Sequence, residues 1–429
     1  MAKSFKSMQK IKVLMYCDSP TCATGFGNVS RNIAEALHRT GKYDIDVLGI
    51  NFFGDPHNFP YRIWPVMNNN DRDPYGRKKV FNMIPQMDFD ILFFLQDSFI
   101  LDFLPPLHDR LRGEGKKFKS IAYYPIDGTP KLEWLKDVNA VDYLVAYTEF
   151  GARLSQAVYP NIQDLRVIPH GANVIDFKPL PKNEVKEFKS MYFGKHADRF
   201  IVTNVNRNQQ RKDIPRSIAA FREFKKECPN SLLYLHMAIR DQGWDLAEVV
   251  KSYGFSISED VIFPENFGPN QGYPVQILNL IYNASDLVVS TSIGEGFGLG
   301  WVESMSTKTP VLMPDNTAMT EFITEDKGYL AKSGSNPSLF TVMPHDNEVI
   351  RPLVDVEDMA QKMIYIYNNY DEALQKANRA YHWVKDEMTW QGKIGMQWTD
   401  LFNEAIKSLR SDKVNNLTNS KKFIEAEVI

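Results

Sequence analysis

The chain has 429 residues, of which 43% are apolar and 24% are charged, and this ordinary globular composition excludes a disordered or collagenous protein. Its 50 basic and 53 acidic residues leave a formal charge of −3, so no overall field draws it to nucleic acid or an anionic membrane. Three cysteines without a CxxC pair exclude a disulfide framework and suit a reducing compartment, and no apolar run approaches the ~20 residues that span a bilayer. We therefore expect a cytoplasmic protein of two or three domains without an integral membrane segment.

The first half of the chain alternates short apolar runs with amphipathic patterns. Runs that are apolar nearly throughout predict buried parallel strands at 11–17, 45–50, 91–95, 121–126 and 143–147. Helices are predicted at 28–40 and at 148–159, where Thr148 is a suitable N-cap. This alternation is typical of a doubly wound parallel sheet.

The second half repeats the alternation. Strands are predicted at 200–205, 231–237, 261–263, 287–291 and 310–313, and helices at 214–228, 244–253, 275–284 and 299–307. Two such series predict an α/β protein with two Rossmann-like domains facing across a cleft.

The domain boundaries follow from composition. Three prolines and a charged stretch within 169–189 predict a joint near residue 180, hence domains 1–180 and 181–387. The region 354–409 is predicted to be helical, and the polar end 411–429 is expected to fray.

The strongest motif is the glycine-rich turn GEGFGLG at 294–300, which joins a predicted strand to a predicted helix. Its backbone N–H groups would stand beside the positive end of the helix dipole, which suits a phosphate or sugar oxygen. Glu295 in the turn and Glu303 about one helical turn later could face the same cleft. The alternative is a plain βα turn with both glutamates solvated.

A second candidate is the basic turn that follows the predicted strand 200–205. Arg207, Arg211 and Lys212 cluster there and lead into a helix. Cations at this point could hold a diphosphate and stabilise its charge as it leaves. The alternative is a solvated basic turn.

A third candidate lies near the N-terminus, where Gly25 and Gly27 precede a predicted helix and Asp46 follows nineteen residues beyond Gly27. This is the best case for a nicotinamide site. The fingerprint is weak, because seven residues separate the strand from Gly25 and Asp46 lies inside a strand.

Two aspartates complete the candidates. Asp127 follows the predicted strand 121–126, and Asp97 follows the predicted strand 91–95. Either could orient an acceptor hydroxyl or contact a sugar, but a loop aspartate that caps a turn is an equally good explanation.

In combination, these segments resemble the retaining glycosyltransferases of family 4, which have the two-domain GT-B fold. Two glutamates separated by seven residues form the family signature, and here they are Glu295 and Glu303 in an EGFG-type turn. The segment VIPHGAN at 167–173 resembles the family linker, and Arg207 with Lys212 resembles its basic pair. The resemblance covers about residues 10–408 and implies that a helix at about 388–410 returns to the first domain.

The resemblance also implies roles for individual residues. Arg207 and Lys212 would hold the diphosphate of a UDP-, GDP- or ADP-sugar, Glu303 would bind the ribose hydroxyls, and Glu295 would contact the transferred sugar. The further donor-binding residues would be Gly25, Gly27, Gly296, Phe297, Gly298 and Leu299. No DxD motif stands beside the donor loops, so we expect neither a catalytic metal nor another cofactor.

The acceptor stays open at this level. Asp127 stands where many relatives have a His, so its role in handling the acceptor is undetermined, and Asp97 is a second candidate. A glycan, a lipid-linked glycan reached by peripheral membrane contact, a small molecule, or a modified nucleic acid such as a hydroxylated DNA base are all compatible. The rival functions are a nicotinamide-dependent oxidoreductase and a catalytically inactive nucleotide-binding protein.

Overall fold

The structure is a computed structural model that describes residues 10–67, 73–268 and 272–426, with 413–426 as backbone only. Its strands are β1 (Ile11–Asp18), β2 (Tyr43–Ile50), β3 (Arg62–Pro65), β4 (Ile91–Leu95), β5 (Lys119–Tyr124), β6 (Tyr143–Ala146), β7 (Leu165–Val167), β8 (Phe200–Val205), β9 (Ser231–His236), β10 (Val261–Ile262), β11 (Leu287–Val289), β12 (Val311–Pro314), β13 (Tyr329–Ala331), β14 (Phe340–Val342) and β15 (Ile350–Pro352). Its helices are α1 (Gly25–Arg39), α2 (Arg77–Met83), α3 (Leu104–Gly113), α4 (Leu132–Val138), α5 (Glu149–Val158), α6 (Lys182–Phe193), α7 (Ile214–Glu227), α8 (Leu246–Ser252), α9 (Val275–Ala284), α10 (Leu299–Ser306), α11 (Met319–Phe322), α12 (Val356–Asn368), α13 (Tyr370–Glu387) and α14 (Lys393–Ala426).

The first domain is built on a parallel sheet with strand order β3-β2-β1-β4-β5-β6-β7. Successive side chains of β1 enter opposite cores: Val13 and Met15 lie in one hydrophobic cluster, and Leu14 and Tyr16 lie in the other. Because helices cover both faces, all five residues of β4 are buried, which explains its uninterrupted apolar run.

The second domain has a parallel sheet with strand order β10-β9-β8-β11-β12-β13. The predicted architecture of two Rossmann-like domains is therefore confirmed. Thr148 is the N-cap of α5, as expected, since its side chain accepts a hydrogen bond from the Gly151 N–H at 3.0 Å.

The long helix α14 returns to the first domain, as the resemblance implies. The Trp398 ring packs edge-on against Phe93 of β4 with 5.5 Å between centroids, and the Tyr43 hydroxyl donates to Asn403 Oδ1 at 3.0 Å. The helix continues to Ala426 in the structure, and the expected fraying from residue 411 stays a prediction. No Gly or Pro occurs in 411–429 to stop the helix, and 427–429 lie outside the described residues.

A short antiparallel hairpin, β14–β15, interrupts the second domain between β13 and α12. Val342 pairs with Ile350, and Thr341 pairs with Arg351. The sequence does not predict this hairpin, because three-residue strands are too short to display a period of two. We call residues 340–352 the bridging hairpin, since its contacts reach the first domain.

Candidate active site

The carboxyl ends of strands from both domains meet at a cluster of charged side chains. Arg211 and Lys212 follow β8, Glu295 follows β11, and Asp127 follows β5 of the opposite domain. The Lys212 ammonium pairs with Glu295, Arg211 Nη1 lies 3.2 Å from Glu295 Oε2, and Arg211 Nε lies 3.3 Å from Asp127 Oδ2. The structure thus joins three of the predicted site residues, Lys212, Glu295 and Asp127, and it does so through Arg211.

Glu295 is a buried carboxylate held in its charged form. Burial alone would raise its pKa, but Lys212 and Arg211 lower the pKa of Glu295 to about 2. The cluster therefore holds cations and a carboxylate in a site that excludes most water, where charges act strongly on a bound anion.

The glycine turn fits closely against the first domain. A Cβ on Gly296 would stand 2.6 Å from the Pro125 Cβ, so only glycine permits this approach. Gly298 has a φ of +83° and is the N-cap residue of α10, a left-handed conformation that favours glycine. These glycines let the turn and the N-terminus of α10 face the cleft.

Phe297 and Leu299 differ in what they offer a ligand. The Phe297 side chain is buried, with its ring 4.8 Å from that of His170 and 5.0 Å from that of Trp301, so only its backbone is left for a donor. Leu299 is partly buried and lies opposite Gly25, where a Cβ would come within 3.7 Å of Leu299 Cδ1. Gly25 and α10 thus face each other across the cleft.

Gly27 has a structural explanation. Its N–H donates to the Thr24 hydroxyl at 3.0 Å, and a Cβ would stand 2.7 Å from the Cys22 carbonyl oxygen. The helix begins at Gly25, three residues before the predicted start, because Thr24 caps it. Close packing of α1 on the preceding loop accounts for this glycine.

Arg207 stands apart from the charged cluster. Its Nε lies 2.6 Å from Asp241 Oδ2, its Nη2 lies 3.2 Å from Asp241 Oδ1, and the side chain is 37% exposed. The structure therefore brings Arg211, and not Arg207, onto Glu295. The sequence placed all three cations in one turn but had no signal for which of them points to the cleft.

Glu303 lies in α10 at 8% exposure, where its Oε2 accepts a hydrogen bond from the Tyr282 hydroxyl at 2.8 Å. Burial raises the pKa of Glu303 to about 7, and the hydrogen bond from Tyr282 and the charge of Arg31 offset that rise only in part. The carboxyl is thus poised to accept hydrogen bonds from hydroxyl groups.

Glu303→Gln is expected to flatten the pH dependence of stability. The pKa of Glu303 is higher in the folded state than its ordinary value of 4.5, so its stabilising contribution is complete below about pH 4.5 and is lost as the pH rises through about 7. Between these two pH values the free energy of unfolding should fall by on the order of 3 kcal/mol more in the wild type than in the variant. Denaturant unfolding of both proteins from pH 4.5 to pH 8 measures this difference, and parallel curves would contradict it.

The first domain contributes carboxylates to its side of the cleft. Asp97 follows β4, and burial together with the neighbouring Asp127 raises the pKa of Asp97 to about 7. Asp18 at the end of β1 accepts hydrogen bonds from Thr24 Oγ1 at 2.7 Å and from Gln96 Nε2 at 3.3 Å. This edge of the sheet is therefore rich in hydrogen-bond acceptors.

The acidic residue that a nicotinamide site would need, Asp46, is paired with other side chains. Asp46 lies within β2, where it accepts a hydrogen bond from Trp64 Nε1 at 2.9 Å and pairs with Arg62 Nε at 3.1 Å. A ribose-binding carboxylate would have to stand free at the end of that strand.

Sequence reasoning missed Arg351 on β15. Its guanidinium is 4% exposed and lies 3.1 Å from Asp127 Oδ1 of the opposite domain. A lone arginine in an irregular segment has no pattern around it, so no sequence signal marked it.

The described part of the chain contains neither a metal-binding cluster nor a membrane-spanning helix. No group of three or more His, Cys, Asp or Glu side chains there is arranged to hold a metal ion. No helix there has the length and apolar character needed to cross a membrane.

Two parallel α/β domains that place charged side chains in the cleft between them define the class of GT-B proteins. The sucrose-phosphate synthase of Thermosynechococcus elongatus superposes with a TM-score of 0.70 at 19% identity, covering 93% of this chain and all of that one. HepE of Anabaena, solved with UDP-glucose, superposes with a TM-score of 0.68 at 15% identity, covering 92% of this chain and all of that one.

Residues 151–395 match the family described as family 4 glycosyltransferase in conflict systems. This is more than half of the chain, and the chain belongs to that family. The trehalose synthase of Thermococcus litoralis is 22% identical over 269 residues, which is 60% of this chain and 57% of that protein.

Proposed function

We propose that this protein transfers a sugar from a nucleotide-diphosphate sugar to a hydroxyl group, with retention of configuration and without a catalytic metal. The observation that carries the proposal is the meeting of Lys212 and Arg211 with Glu295 beside the N-terminus of α10, opposite Asp127 of the other domain. Family membership supports the reaction class.

The donor diphosphate would bind to Lys212, Arg211 and the N-terminus of α10. Two partly buried cations and a helix dipole can neutralise a leaving diphosphate, which is the task a metal ion performs in other transferases. Arg207 remains a predicted phosphate ligand that would have to share its charge with Asp241. UDP-glucose is the first donor to test, because the structural neighbour HepE was solved with it.

The nucleoside would lie beside α10, at Glu303. Its carboxyl can accept hydrogen bonds from both ribose hydroxyls while Tyr282 fixes its orientation. Glu295 would then face the transferred sugar, and the backbone from Gly296 to Leu299 would contact sugar and phosphate.

The chemistry we propose is a front-side displacement. The bond from the sugar C1 to the phosphate oxygen breaks, a bond from C1 to the acceptor oxygen forms on the same face, and the leaving phosphate takes the acceptor proton. Glu295, paired with Lys212, orients the sugar and is not the nucleophile. A trapped covalent adduct between the sugar and Glu295 would overturn this mechanism.

The acceptor would enter along the first domain, where Asp97 and Asp127 can accept hydrogen bonds from a hydroxyl group. A carboxylate-lined edge suits a neutral hydroxyl, whether a glycan, a lipid-linked glycan, a small molecule or a hydroxylated base carries it. We further propose a cytoplasmic location, because Cys17, Cys22 and Cys228 are free thiols.

A panel of UDP-, GDP- and ADP-sugars tests the function. We expect one donor to raise the melting temperature and to be hydrolysed, with the α or β configuration of the donor kept in the released sugar. NMR of the anomeric proton during the first minutes measures the configuration. Inversion would refute retention, and stabilisation without turnover of any donor would favour a nucleotide-binding protein. Binding of NADH with fluorescence transfer would instead favour an oxidoreductase.

A further inference from the structure

We propose that Arg351 is a positioning residue that holds Asp127 in place for sugar transfer, and that the bridging hairpin exists to deliver it across the cleft. The inference rests on the proposed function, since it assigns Asp127 a task in that reaction. It adds a residue that neither the family signature nor the charged cluster contains.

Arg351 forms hydrogen bonds on both sides of the cleft. Its Nε and Nη2 lie 2.7 and 2.9 Å from the carboxylate of Asp346 in the same hairpin, which anchors the guanidinium plane. Its Nη1 lies 3.1 Å from Asp127 Oδ1 and also donates to the Asp127 carbonyl oxygen. The guanidinium therefore binds Asp127 through its backbone and its side chain together.

Two glycines make room for this guanidinium. A Cβ on Gly294 would stand 2.5 Å from Arg351 Nη1, and a Cβ on Gly128 would stand 3.0 Å from the same atom. Gly128 follows Asp127, and Gly294 precedes Glu295. Arg351 thus lies in a space between the two loops that carry the candidate catalytic carboxylates, which couples the position of one loop to the other.

Asp127 is consequently held at both oxygens. Arg351 Nη1 contacts Oδ1, and Arg211 Nε lies 3.3 Å from Oδ2. A carboxylate bound to one cation can still rotate about its Cα–Cβ and Cβ–Cγ bonds, whereas one bound to a guanidinium on each oxygen has a fixed plane. Each oxygen keeps a further lone pair, so a sugar or acceptor hydroxyl can still donate to it.

The tip of the hairpin supplies a matched control. Glu348 pairs with Lys131 of the first domain at 2.7 Å, and both side chains are largely exposed. This ion pair crosses between the same two elements as the Arg351 contact but does not touch Asp127. Glu348→Gln therefore weakens hairpin docking without altering how Asp127 is held.

The experiment compares Arg351→Met, Arg351→Lys and Glu348→Gln with the wild type. Two readouts are measured: kcat for UDP release from UDP-glucose, or from whichever sugar nucleotide the panel identifies, and the affinity for UDP by calorimetry. We expect Arg351→Met to lower kcat about 10- to 100-fold, the loss typical of a reacting group misplaced by about 1 Å, with UDP affinity kept. Arg351→Lys should recover part of the loss, and Glu348→Gln should match the wild type.

The outcomes separate this inference from the proposed function. A wild type that turns over no sugar nucleotide refutes the proposed function and the positioning role with it. A wild type that is active while Arg351→Met has the same kcat overturns the positioning role alone. A parallel loss of kcat and UDP affinity in Arg351→Met, without recovery in Arg351→Lys, would show a merely structural arginine. Should Arg351→Met fail to fold, the comparison of Arg351→Lys with Glu348→Gln decides, since equal kcat values in these two variants would contradict the proposal.

Discussion

Lys212→Ala is expected to reduce kcat/KM for sugar-nucleotide turnover by a factor of about 10² to 10³, the usual cost of removing one preorganised group that stabilises transition-state charge. Lys212 follows β8 and is one of the two cations in contact with Glu295, and its side chain is 12% exposed. Charge developing on a leaving diphosphate at this place would meet little competing solvent. Steady-state kinetics on the donor that stabilises the wild type measures the effect.

Lys226→Ala is the control for that variant. Lys226 lies at the end of α7, the helix that follows Lys212, and pairs with Glu223 at the surface. It should turn over donor like the wild type, because an exposed ion pair contributes little to fold or site. Near-normal kinetics of Lys212→Ala would remove Lys212 from the donor site and undo the proposed function.

Glu295→Gln is expected to destabilise the protein by about 3–5 kcal/mol, because removing one partner of a buried ion pair leaves the other charge uncompensated. Here the variant leaves two cations, Lys212 and Arg211, without the carboxylate that lies between them. Denaturant unfolding without ligand measures the loss. Glu223→Gln, which removes an exposed carboxylate, should change stability far less.

The stability difference between the wild type and Glu295→Gln is expected to depend on pH. The pKa of Glu295 in the folded protein, about 2, is below its ordinary value of 4.5, so its stabilising contribution is present above about pH 4.5 and is lost as the pH falls toward 2. The stability gap between wild type and Glu295→Gln should therefore narrow below pH 4.5. We also expect UDP to raise the melting temperature of Glu295→Gln more than that of the wild type, since its phosphates replace the missing negative charge. A gap that is independent of pH would contradict the pairing.

The order of strands and helices could be predicted from the sequence because it depends on local patterns of apolar and polar residues. The buried parallel strand β4 is apolar along its whole length and β8 is apolar over its first three residues, and the predicted bounds of both match the structure. The same reasoning missed β7, whose three residues are only half buried, and the bridging hairpin. Short or half-exposed strands lack the run of apolar residues on which such a prediction depends.

The residues of the candidate site were likewise predictable only where a local sequence pattern marks them. The glycine turn, Glu295, Glu303 and Lys212 could be named in advance because each lies on the segment that follows the carboxyl end of a strand, where parallel α/β sheets bind ligands. Residue type and position indicated that an anion could bind there, and the roles of the individual residues came from the resemblance to family 4. The sequence also contained Arg211, but the choice between Arg207 and Arg211 depends on which side of a turn each side chain leaves, and Asp241 at the end of a different loop holds Arg207 away.

The residues that complete the site come together only through folding. Arg351 and Asp127 are 224 positions apart, and their contact requires two sheets, a linker and a hairpin with three-residue strands to take up one mutual arrangement. No local pattern encodes such a distance, because the free energy that brings the domains together comes from packing spread over many side chains. The amino-acid order thus specified two Rossmann-like domains and the candidate donor motif. The fold of the second domain placed Arg211 on Glu295, and the docking of the two domains brought Arg211 and Arg351 onto Asp127.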